Sequence, residues 1–109
     1  MKRVDPKQIV ELYAKYKLKP GRITLNGDCA CPFALLYLEE VGGRRDDCLH
    51  WGDISKTLRG KLGFDSNYTN GFLAGFDYDK PNAFNVPDGY NKGTDDGRAC
   101  REAVGFKDA

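Results

Sequence analysis

The sequence predicts a mainly α fold: a compact bundle of four to five helices with one short β-hairpin at about residues 22–31. Three observations carry that expectation. Apolar residues recur at three- and four-residue steps over most of the chain. Capping and stop residues bracket those runs. A single hairpin signal, Asn26-Gly27, stands between Arg22-Ile23-Thr24-Leu25 and Asp28-Cys29-Ala30-Cys31. At 109 residues, with no long linker, the chain reads as one domain spanning 1–109.

The first helix has the clearest boundaries. Asp5 is a good N-cap, Pro6 fits the first helical position, and Gln8 completes a capping-box pattern. Ile9, Leu12, Tyr13 and Tyr16 then form one apolar face, and Lys19-Pro20-Gly21 stops the run. After the hairpin, Pro32 opens a helix to Val41, closed by Gly42-Gly43. It is apolar on most of its circumference, which marks it as a central core element. Arg44-Arg45-Asp46-Asp47 reads as a charged surface loop. Asp53 can cap a helix carrying Ile54, Leu58 and Leu62, with Gly63 as its stop. Asp65 or Ser66 caps the next, which runs to about Phe76. Asp77 to Asp88 is a polar connection, and a last helix runs from Gly89 or Tyr90 to Val104-Gly105.

Thirteen glycines exceed the roughly 7% background, and four of them form a repeat. Tyr68-x-x-Gly71-x-x-x-Gly75 recurs as Tyr90-x-x-Gly93-x-x-x-Gly97. Both glycines of each pair fall on one helix face. Each costs about 1 kcal/mol relative to alanine, and close helix–helix approach is the expected compensation. Tyr68 and Tyr90 are expected to cover the ends of that contact. A ligand or partner helix on the glycine face is the functional alternative.

Cys29-x-Cys31 and Cys48-x-His50 offer thiolate and imidazole donors suited to tetrahedral zinc. Their spacing differs from that of common zinc fingers, and buried free thiols are the plainer reading. Cys31, at a helix N-terminus, is also placed where the helix dipole lowers a thiol pKa, so thiol chemistry is a further option. A helix-turn-helix over 54–75 is a DNA-binding alternative, although it offers no Arg or Lys between Asp65 and Asp79. Asp77, Asp79, Asn82, Asn85 and Asp88 suggest calcium only loosely, since Pro81 and Asn82 break the EF-hand pattern.

Seventeen basic against sixteen acidic residues give a net charge of +1, so no global basic field attracts nucleic acid. The basic start Met1-Lys2-Arg3 lacks an apolar stretch behind it, and the longest apolar run, Pro32 to Leu38, is too short for a membrane span. With four cysteines read as reduced thiols, the expectation is a cytoplasmic protein with no membrane partner. A single histidine and no converging acidic pair favour binding over catalysis.

Cys31-Pro32 followed by Ala34-Leu35-Leu36, together with Tyr68-x-x-Gly71-Phe72-x-x-Gly75-Phe76-Asp77, resembles short, uncharacterised bacterial and phage proteins sharing such motifs. The resemblance spans about Gly21 to Val104. It implies a small accessory protein and no particular activity. The combined expectation is a non-enzymatic protein that binds another protein, with Tyr78, Lys80 and Phe84 of the polar connection as candidate contacts. A zinc-stabilised binding module is the first alternative.

Overall fold

Asp5 accepts the Lys7 N–H and opens α1, Pro6–Tyr16, with Pro6 in the first turn. Burial of Ile9, Leu12 and Tyr13 draws one face of α1 into the core. The helix ends two residues earlier than the Lys19-Pro20-Gly21 stop implies. Lys17 takes the left-handed conformation, and the N–H of Leu18 closes onto the Tyr13 carbonyl. Leu18 is thereby buried against the same face. The computed structural model describes residues 3–22, 27–42 and 51–106.

Residues 23–26 of the hairpin expected at about 22–31 lie outside the described residues, and the two-stranded element that is described starts earlier in the chain. Strand β1, Lys19–Pro20, pairs with β2, Cys29–Ala30, and the two run parallel. Lys19 donates to the Asp28 carbonyl and Gly21 to that of Ala30. Gly21 allows this approach because a Cβ there would lie 2.8 Å from the Cys29 Cβ. The Tyr13 hydroxyl donates to Ala30 O at 2.6 Å and ties β2 to α1. Pro20 is tolerated between Lys19 and Gly21 because the ladder takes its N–H groups from those two residues and needs none from the proline. Gly27 keeps the positive φ its Asn-Gly position suggested.

Helix α2, Pro32–Val41, is the central core element: Pro32 to Leu36 and Leu38 are all buried. Gly42 closes it in the left-handed conformation. Helix α3 spans Trp51–Gly60 and buries Ile54 and Leu58. Asp53 lies within its first turn rather than capping it. Helix α4, Ser66–Tyr78, is capped by the Asp65 carboxylate on the Tyr68 N–H. Helix α5, Asp88–Val104, is the longest at 17 residues.

Aromatic residues at four-residue steps form a column along α4. Phe64, Tyr68, Phe72 and Phe76 meet in sequence, with centroids 5.9 to 6.3 Å apart. Phe33 of α2 joins the column at 4.6 Å from Phe72, and Phe106 closes its end at 5.1 Å from Phe76. Tyr68 is fully buried and performs a polar task as well. Its hydroxyl accepts the Val4 N–H and donates to Asp96, whose carboxylate also takes two hydrogen bonds from Arg3. The start of the chain is therefore clamped onto α5 through α4.

The four repeated glycines face the opposing helix backbone. A Cβ at Gly71 would overlap the Tyr90 carbonyl, and one at Gly75 that of Thr94. Conversely, a Cβ at Gly93 would strike Tyr68 O, and one at Gly97 would strike Phe72 O. The glycine faces are thus occupied by each other rather than open to a ligand. Contacts advance in the same direction along both helices, so α4 and α5 lie parallel. Residues 79–87 must then return along α4, about 20 Å for thirteen residues. Nine extended residues reach about 30 Å, which is enough.

Candidate functional site

The returning segment 79–87 is a strap on the surface of the α4–α5 pair, and both of its halves are fastened. At its start, Asp79 takes the left-handed conformation and its carboxylate pairs with Arg98 at 3.1 Å. Further on, the Asn91 side chain forms two hydrogen bonds with one residue. It accepts the Ala83 N–H at 3.0 Å and donates to the Ala83 carbonyl at 3.1 Å. Asn85 is left-handed, and Pro81 and Pro87 restrict the backbone on either side. The residue after the clamped Ala83 is Phe84, whose ring is 95% exposed.

The structure separates the three residues that the sequence grouped. Tyr78 ends α4 and is 54% exposed. The Arg22 guanidinium lies 4.6 Å from its ring centroid and the Lys80 ammonium 5.8 Å from it. Tyr78 and Lys80 therefore belong to one cation–aromatic cluster at the C-terminal end of α4. Phe84 follows the residue that Asn91 clamps, near the opposite end of the parallel pair. Sequence reasoning missed Asn91 and Arg22. Asn91 lies in a helix and gives no local sign of reaching back to the strap. Arg22 sits within the expected hairpin and far from Tyr78 in sequence.

Asp77 belongs to the buried last turn of α4, not to the exposed connection, so the loose calcium pattern loses its first member. The cysteines also occupy unlike environments. Cys29 is exposed, whereas Cys31 and Cys100 are buried. Burial pushes the Cys31 thiol up to about 12, and Cys100 likewise. This runs against the option of thiol chemistry at Cys31: desolvation outweighs the backbone N–H groups that lower the thiol. Cys48 and His50 of the zinc set lie outside the described residues. Among those described, no three ligating side chains converge.

The α3–α4 corner has the order of a helix-turn-helix, but the geometry differs from a DNA reader's. The face of α4 carrying Gly71 and Gly75 is covered by α5, and its exposed positions before Tyr78 are Ser66, Asn67 and Asn70. No basic side chain projects from it. Among the described residues, no helix is long and apolar enough to cross a membrane. The chain matches no family model, no curated protein and no solved structure.

Proposed function

We propose that this is a small non-enzymatic accessory protein of bacterial or phage type that binds another protein through the 79–87 strap. Phe84 is its anchor. The observation that carries this reading is the combination of near-complete exposure at Phe84 with a bidentate side-chain clamp on the preceding residue. A large apolar ring standing in water gains by entering a partner's pocket, and the clamped backbone beside it reduces the entropy lost on binding. The Tyr78–Arg22–Lys80 cluster supplies a second, polar contact at the other end of the strap.

The test compares the wild type with Phe84→Ala in affinity capture from bacterial cells, alongside thermal melts. A binding anchor requires that captured protein be lost while the melting temperature stays put. Retention of every captured protein by Phe84→Ala refutes the reading.

A further inference from the structure

We draw no further inference here: the strongest candidate, the cleft between α3 and the first turn of α4 lined by Trp51, Ser55, Arg59, Ser66, Thr69 and Asn70, is a helix N-terminus already capped by Asp65, and its one deeply buried polar side chain, Thr69, donates its hydroxyl to the Asp65 carbonyl, so nothing in the structure points to a ligand there.

Discussion

The α4–α5 seam and the strap that joins its two helices are continuous in sequence and follow opposite rules. In the seam, the side chains of Gly71, Gly75, Gly93 and Gly97 have been reduced to nothing so that backbones touch. In the strap, one of the largest apolar side chains stands in water. The seam tolerates no added atom because its neighbours are carbonyls and amides that cannot turn aside. The strap tolerates almost any change at Phe84, because that ring packs on nothing. The first region is closed to added atoms, while the second leaves Phe84 in solvent.

The sharpest way to break this contrast is a single methyl group. Gly71→Ala places a Cβ on the Tyr90 carbonyl, and should cost more than about 3 kcal/mol by overpacking. Gly60→Ala is the control, because a Cβ there meets nothing within 4 Å. It should stabilise by up to about 1 kcal/mol through helix propensity. Urea unfolding of both variants reads the two signs, and equal effects would dissolve the distinction.

Tyr68→Phe removes the hydroxyl that links Val4 to Asp96. A loss of about 1–3 kcal/mol is expected, with faster exchange of the Val4 amide. Asn91→Ala should cost about 1 kcal/mol and release the Ala83 amide to exchange, loosening the strap without disturbing the seam. Phe84→Ala should stay within about 0.5 kcal/mol of the wild type. If it melts much earlier, the ring is structural and the comparison fails.

The buried thiols predict an alkaline limit to stability. Cys31 and Cys100 are raised to about 12 from an ordinary value of about 8.5. The folded state holds protons that the unfolded state releases. Stability should therefore be unaffected below the ordinary thiol value and fall progressively as pH rises toward 12. Denaturation midpoints at neutral and alkaline pH measure the slope, and Cys100→Ala should lessen it. Alkylation at neutral pH followed by mass mapping should modify Cys29 well before Cys31 or Cys100.

Helix starts were legible because their causes are local. Asp5 and Asp65 satisfy amide groups within three residues, and Gly42 and Gly105 adopt the left-handed turns that end their helices. The strand pair was less legible. Asn26-Gly27 is a strong local hairpin signal, yet the first strand forms earlier, where Leu18 and Ala30 are held to α1. The candidate site was only half legible. The sequence marks an aromatic, Pro- and Asn-rich connection, but nothing in it tells whether Phe84 turns inward or outward.

By itself, the amino-acid sequence determined the helices, the Asp5 and Asp65 caps, the buried face of α2 and the glycine spacing that demands close contact. Each depends on residues within about two helical turns of one another. The tertiary structure alone decided that α4 and α5 run parallel, since glycines four apart pair equally well in either direction. Only the nine-residue link, longer than the two to five residues of an antiparallel helical hairpin, hinted at the choice. That direction sends the strap back along the pair and sets Asn91 against Ala83. The path of the strap that carries Phe84 is thus a consequence of helix orientation, a long-range property that no local pattern encodes.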